Sequence, residues 1–305
     1  MLLDVRNIAK DFGSTSIFGK RAVGFQAVAD VSFGLEQGRT LGVIGESGAG
    51  KSTVGRMIAR LIEPSAGQII FRDRNLLALS RADMRAMRAH LQMIFQDPYS
   101  SFDPLMTVGA SIAEPLLIHK GQRRSEAWPR VIELLERVGM GEEHANRYPR
   151  ELSGGQLQRA AIARALTTTP ALIICDEPVA ALDVLVRAQV LELMRDIQKD
   201  FGVSYLFITH DLSLLKVVAH DVCVMQRGRV VELADVDSIL NRPREDYTRS
   251  LLRAIPRLPA RGSRDAGRAG TILHLPVGGP AAEGKSAQRG KGQESGKGYS
   301  GNGTA

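Results

Sequence analysis

Only two cysteines, Cys175 and Cys223, occur in 305 residues. There is no C-x-x-C and no clustered His/Cys set, so a structural zinc or iron–sulfur site and a disulfide framework have no support. Both cysteines sit in apolar, strand-like runs and read as reduced core thiols, which fits a cytosolic compartment. No apolar run approaches the roughly twenty residues that cross a bilayer. No secretory leader pattern opens the chain, because Met1-Leu2-Leu3 is followed at once by Asp4 and Arg6. Acidic residues are the scarcer sign: 33 against 40 basic ones give a net charge of +7 and a pI near 9.6. That balance resembles a nucleic-acid binder, but its location argues otherwise. From Arg261 onward seven basic residues face three acids, so four of the seven net charges lie in the tail. The first 260 residues are close to neutral, and no nucleic-acid partner is expected.

What is present is organised around Gly45-Glu46-Ser47-Gly48-Ala49-Gly50-Lys51-Ser52-Thr53, a G-x-x-x-x-G-K-[ST] phosphate-binding loop. The apolar run Thr40-Leu41-Gly42-Val43-Ile44 before it predicts a buried strand. Val54, Met57, Ile58 and Leu61 after it recur at helical spacing. Glycines let the backbone wrap a phosphate chain closely, and the N–H groups and positive end of the helix face the anion. In such a loop Lys51 reaches the β- and γ-phosphates of a nucleoside triphosphate and the Ser52 hydroxyl ligates Mg²⁺.

Further acids and amides stand at strand ends. Leu172-Ile173-Ile174-Cys175-Asp176-Glu177 reads as a buried strand ending in two acids. The first is placed to hold Mg²⁺ and the second to polarise the water that attacks the γ-phosphate. Gln96, after an apolar run at 91–95, is within reach of Mg²⁺ or that water. His210, after Leu206-Phe207-Ile208-Thr209, is placed to contact the γ-phosphate and orient Glu177. Leu152-Ser153-Gly154-Gly155-Gln156 sets a Ser and two glycines at a second helix N-terminus, a second anion-binding position.

In chain order the pattern predicts strands at 2–8 and 25–35, with a polar hairpin extension at 14–24 between them, and a strand at 67–71. A helix capped by Ser80 runs to about residue 90. Residues 97–157 change character and read as an inserted helical subdomain, with Thr107 capping one helix and Ser125 a second that runs to about residue 138. A long amphipathic helix is predicted at 184–201, and a hairpin crosses Arg227-Gly228. Twelve of the 31 glycines fall in 261–305, so residues 259–305 are expected to form a disordered, basic tail after one domain at 1–258.

The motif set resembles the ATP-binding subunit of an ABC transporter. The phosphate loop is similar to the Walker A motif, 173–177 to the Walker B strand with its catalytic glutamate, and 152–156 to the family signature. Gln96 matches the Q-loop, Ala181-Leu182-Asp183 the D-loop and His210 the switch histidine. Phe12 matches the aromatic position that stacks on adenine. The one departure is Ala180, where Ser is usual. The resemblance implies an α/β fold: a P-loop cassette with a mixed-sheet core, an antiparallel β subdomain and an inserted helical subdomain. It also implies a head-to-tail dimer, with itself or a sister subunit, in which ATP lies between the phosphate loop of one subunit and Ser153 to Gln156 of the other. Membrane permease subunits, and indirectly an extracytoplasmic substrate-binding protein, would be the partners. The implied place is the cytoplasmic face of the cell membrane, held peripherally.

A narrower resemblance is to the oligopeptide/dipeptide/nickel importer branch. It is carried by Phe95-Gln96-Asp97-Pro98-Tyr99-Ser100-Ser101-Phe102-Asp103-Pro104 and by Tyr247-Thr248-Arg249-Ser250-Leu251-Leu252-Arg253-Ala254-Ile255-Pro256. Some members of that branch carry a cysteine-rich C-terminal segment, and here no Cys follows Cys223. Two other readings are a soluble ABC ATPase acting on nucleic acid and an ATPase of an enzyme complex such as carbon–phosphorus lyase. The stretch from Lys51 to Ser153 is too short, and too poor in heptads, for the long coiled coil of the first.

Overall fold

The computed structural model describes residues 1–13 and 24–254. The expected hairpin extension at 14–24, apart from Gly24, and the expected tail at 259–305 lie outside the described residues. In chain order the strands are β1 (Leu3–Phe12), β2 (Phe25–Leu35), β3 (Thr40–Ile44), β4 (Ala66–Phe71), β5 (Arg74–Asn75), β6 (Leu91–Ile94), β7 (Leu172–Asp176), β8 (Ser204–Ile208), β9 (Asp221–Gln226) and β10 (Arg229–Asp235). The α-helices are α1 (Lys51–Ile58), α2 (Arg81–Met87), α3 (Pro98–Ser101), α4 (Val108–Lys120), α5 (Arg124–Arg137), α6 (Gly154–Leu166), α7 (Val184–Phe201), α8 (Leu212–Val218), α9 (Val236–Asn241) and α10 (Asp246–Arg253).

The strands form one mixed sheet in the order β5-β4-β1-β2-β10-β9-β3-β8-β7-β6. Strands β9, β3, β8, β7 and β6 run parallel. The β5-β4-β1-β2 end is antiparallel. Every residue of β3, β7 and β8 is buried. That follows from their composition, since a parallel strand covered on both faces must be apolar throughout. Alternate residues then face two different cores. Ile173 and Cys175 join Tyr205 and Phe207 on the side of α6, α7 and α8. Leu172 and Ile174 join Leu206, Ile208 and the α1 residues Val54, Met57 and Ile58 on the other. Both cysteines are fully buried, and burial pushes the Cys223 thiol up to about 12, which keeps it protonated and inert.

Because these strands are parallel, their carboxyl ends emerge at one edge. The phosphate loop, Gln96, Glu177 and His210 each follow one of them. Ligands of open α/β sheets bind at this edge.

Three helix ends differ from expectation: α2 stops at Met87 rather than about residue 90, and α1 and α5 differ as follows. Helix α1 stops at Ile58 rather than reaching Leu61, which is half-exposed. Arg60 adopts the left-handed region (φ 48°), and the Leu61 N–H closes back onto the Arg56 carbonyl at 2.8 Å, a helix-terminating turn. The Arg60 guanidinium secures it by donating to the carbonyls of Leu76 and Leu79 at 2.8 and 3.1 Å and to the Glu63 carboxylate. Helix α5 starts one residue before Ser125, which falls in its first turn. The capping residue before it, Arg123, donates its own N–H to the Glu126 carboxylate at 2.9 Å. The cap is therefore made by Glu126 reaching back, and no Ser cap is needed.

Candidate functional site

The loop from Gly45 to Gly50 passes between β2 and β9, and its glycines make that passage possible. Gly50 has φ +96°, and a Cβ there would lie 2.5 Å from the Ala27 carbonyl oxygen. Gly45 is tighter still, since its Cβ would lie 2.1 Å from the carbonyl oxygen of Met225. The loop thereby borders a cavity of about 680 Å³, within the range of small-molecule sites. Gly45, Glu46, Ser47, Gly48, Gly50, Lys51, Ser52 and Thr53 line it, and Gln96, Glu177 and His210 close its far side.

Lys51 is buried, and its ammonium donates to the carbonyls of Gly45 and Glu46 at 2.8 and 2.9 Å. Burial lowers its pKa, against the opposing pull of Glu177 and Asp176. Ser52 Oγ donates to Asp176 Oδ1 at 2.7 Å, so the loop and the end of β7 are already joined. Asp176 lies behind Ser52, 2% exposed. It opens onto a neighbouring cavity of about 410 Å³ shared with Arg56 and Gln96, and Arg56 Nη2 stands 3.9 Å from Asp176 Oδ2.

Burial raises the Asp176 pKa, opposed by the Ser52 hydrogen bond and the Arg56 charge. The folded value thus stands above the unfolded one. Stability falls as pH rises between the two, so ionising Asp176 costs the folded chain free energy. Asp176→Asn is therefore expected to raise the melting temperature of the ligand-free chain by about 2–4 °C, the shift that about 1 kcal/mol gives at this size. Calorimetry at neutral pH checks it. A fall in melting temperature would mean that the Arg56 pair outweighs burial.

Glu177 is held from both sides. Its backbone is in the left-handed region (φ 49°), uncommon for a non-glycine residue, and its N–H donates to the Ile208 carbonyl at 3.0 Å. One carboxylate oxygen is 2.9 Å from His210 Nδ1, and the other accepts from Gln96 Nε2 at 3.2 Å. The ends of β6, β7 and β8 thus converge on a single carboxylate beside Lys51. Six other non-glycine residues, Asp73 among them, share this backbone region, so what distinguishes Glu177 is the clasp on both of its carboxylate oxygens.

Seven sequence-derived candidates do not line this cavity. Ala49 is packed beneath the loop, 4% exposed. Phe12 lies outside, and its antiparallel partner Phe25 lines the cavity instead. Asp176 acts from behind Ser52. The Ser153-Gly154-Gly155-Gln156 segment caps α6 elsewhere: Ser153 Oγ accepts from the Gln156 N–H at 3.3 Å, and Gln156 Oε1 accepts from the Ser153 N–H at 2.9 Å. The chain therefore has two helix N-termini rich in glycine that share no cavity within one copy.

Sequence reasoning missed Phe25, Ala27 and Leu251, which form the apolar side of the cavity. It also missed Tyr247, whose Oη accepts from the Glu46 N–H at 3.2 Å. The pairing of Phe12 with Phe25 was the one available signal, since two aromatics flanking a hairpin sit opposite each other.

Residues 28–180 match the family described as ABC transporter. Curated relatives include the glutathione import ATP-binding protein GsiA of Escherichia coli (strain K12), 47% identical over 256 residues, which is 84% of this chain and 41% of the relative. The protein of the same name from Pectobacterium atrosepticum is 46% identical over the same shares. The chain thus spans about two fifths of the length of the curated relatives it matches. Among solved structures, a dimeric ATP-binding cassette in a post-hydrolysis state bound to ADP and Pi is similar at TM-score 0.68 and 25% identity, covering 77% of this chain and 98% of that one. CbiO1 from Clostridium perfringens, part of an ABC transporter complex, is similar at TM-score 0.66 and 26% identity, covering 78% and 90%.

Proposed function

The chain belongs to the ABC transporter family, and from that premise we propose that it is the ATP-binding and ATP-hydrolysing subunit of an importer for small peptides or similar cargo. The observation that carries this reading is the convergence of Lys51, Ser52, Asp176 and a Glu177 clasped by Gln96 and His210 at one sheet edge.

The donor set fits Mg²⁺ with a nucleoside triphosphate. A hydroxyl already bonded to a buried carboxylate, with an amide oxygen nearby, is the hard oxygen set that Mg²⁺ takes. Ser52, Asp176 and Gln96 would hold the ion, which supplies charge neutralisation on the phosphate oxygens when bound. The ammonium of Lys51, now turned onto two loop carbonyls, is the cation placed to exchange those partners for phosphate oxygens. Glu177 takes the proton of the attacking water, and His210 and Gln96 hold its two oxygens in position. The amides of Gly48 to Thr53 and the positive end of α1 cradle the phosphates.

Ser153 to Gln156 serve the cavity of a second copy or of a sister subunit. That these residues do not line the cavity of their own copy suits a head-to-tail dimer. No helix among the described residues is long and apolar enough to cross a membrane. Transport then depends on separate permease subunits, with this chain peripheral on the cytoplasmic face and a substrate-binding protein delivering cargo outside. The cargo class follows from the name of the relatives, glutathione import, glutathione being a small peptide.

Purification of the full chain from native membranes in mild detergent tests this. The expected result is a complex with two multi-span membrane proteins, whose phosphate release rises several-fold when a peptide-loaded binding protein is added. A chain that purifies with nucleic acid or soluble enzymes, and without membrane proteins, would contradict the importer reading.

A further inference from the structure

Helix α10 reaches the phosphate loop from about two hundred residues away in sequence, and it is fixed before it gets there. The Glu232 carboxylate on β10 accepts from the N–H groups of Arg244 and Glu245 at 2.8 and 3.2 Å. Arg249 donates to the carbonyls of Pro243 and Arg244, both at 2.8 Å. Thr248 is fully buried, and Tyr247, Leu251 and Leu252 pack against the core. Residues four apart on a helix share a face, so Tyr247 and Leu251 are presented together. Tyr247 Oη accepts the Glu46 N–H of the phosphate loop. Leu251 joins Phe25 and Ala27 on the apolar side of the cavity, while Lys51, Gln96, Glu177 and His210 supply its charged and polar side.

A nucleoside triphosphate is highly charged at one end and carries an uncharged base with flat aromatic faces at the other. The charged side of the cavity suits the phosphates, which leaves the apolar side to the base and its sugar. We propose that Tyr247 is a positioning residue for the phosphate loop and that Leu251 contacts the nucleoside, so that the C-terminal helix sets nucleotide affinity. This rests on the cavity being the ATP site.

The test displaces a fluorescent ATP analogue from the full-length protein with two competitors. These are ATP and inorganic tripolyphosphate, which carries the phosphates without a base. Leu251→Ala is expected to weaken ATP about fivefold to tenfold, the loss of a few buried methyl groups, and to leave tripolyphosphate within about twofold. Leu251→Met, which keeps the apolar contact, is expected to hold wild-type affinity. Tyr247→Phe removes one acceptor and is expected to weaken ATP and tripolyphosphate alike, by about twofold to tenfold. Equal weakening of both competitors by Leu251→Ala would make the helix a scaffold only and overturn the base contact. Wild-type affinities in all three variants would overturn the whole inference while leaving the ATP site standing. A wild-type protein that binds neither competitor would remove the ATP site itself.

Discussion

Replacing Glu177 by Gln is expected to leave ATP bound and to cut phosphate release by about 10²–10⁴-fold, the range that a positioned general base contributes. The substitution keeps the size of the side chain and removes its charge, and with it the ability to take a proton. Gln96 and His210 can still hydrogen-bond to the amide, because Gln carries both a donor and an acceptor. The backbone also stays in place, since the strained Glu177 peptide is tied to the Ile208 carbonyl through its N–H. Binding and chemistry should therefore separate cleanly. Equilibrium binding of ATP together with single-turnover phosphate release reads both. A Glu177→Gln protein that turns over like wild type would show that another group takes the proton.

Lys51→Ala is expected to raise the dissociation constant for ATP by about 10²-fold or more. A buried ammonium donating to phosphate oxygens forms charge-assisted hydrogen bonds. Truncating one partner of such a contact costs about 2–5 kcal/mol, and each 1.4 kcal/mol is tenfold. The ligand-free fold should not suffer in proportion. Burial holds the Lys51 pKa down, so the charged side chain is itself a cost to the empty protein. Melting temperature and ATP affinity should thus move independently. Calorimetric titration beside thermal unfolding checks this. Loss of both together would mean that Lys51 supports the loop rather than the ligand.

The parts of this protein legible from sequence are those in which chemistry is local. Strands β3, β7 and β8 are short apolar runs bounded by glycines and acids, and their type follows from burial on both faces. The phosphate loop declares itself because close backbone approach admits only glycine at Gly45 and Gly50. The acids and amides at strand ends could be paired with it because parallel strands deliver their carboxyl ends to one edge. The ABC family and its cassette fold were visible in those residues for the same reason.

What escaped is tertiary. Nothing near Leu61 announces that Arg60 will turn left-handed, because the carbonyls that reward it belong to Leu76 and Leu79. Ser125 looks like a cap, yet Glu126 reaching back one turn places the helix start before it. Leu251 and Tyr247 stand out in sequence only as part of a segment that resembles other importers. Their meeting with Glu46 spans 201 positions and depends on where Glu232 anchors the chain. Phe12 and Phe25 are indistinguishable by pattern, and only the sheet geometry decides which of them lines the cavity.

The most direct measurement is nucleotide binding by the purified full-length chain, with and without Mg²⁺, followed by phosphate release in the same sample. One ATP per chain, bound more tightly with Mg²⁺, released as ADP and phosphate by wild type and retained uncleaved by Glu177→Gln, is the expected result. ATP bound with equal affinity by wild type and Lys51→Ala would place the nucleotide somewhere other than the cavity at the end of β3.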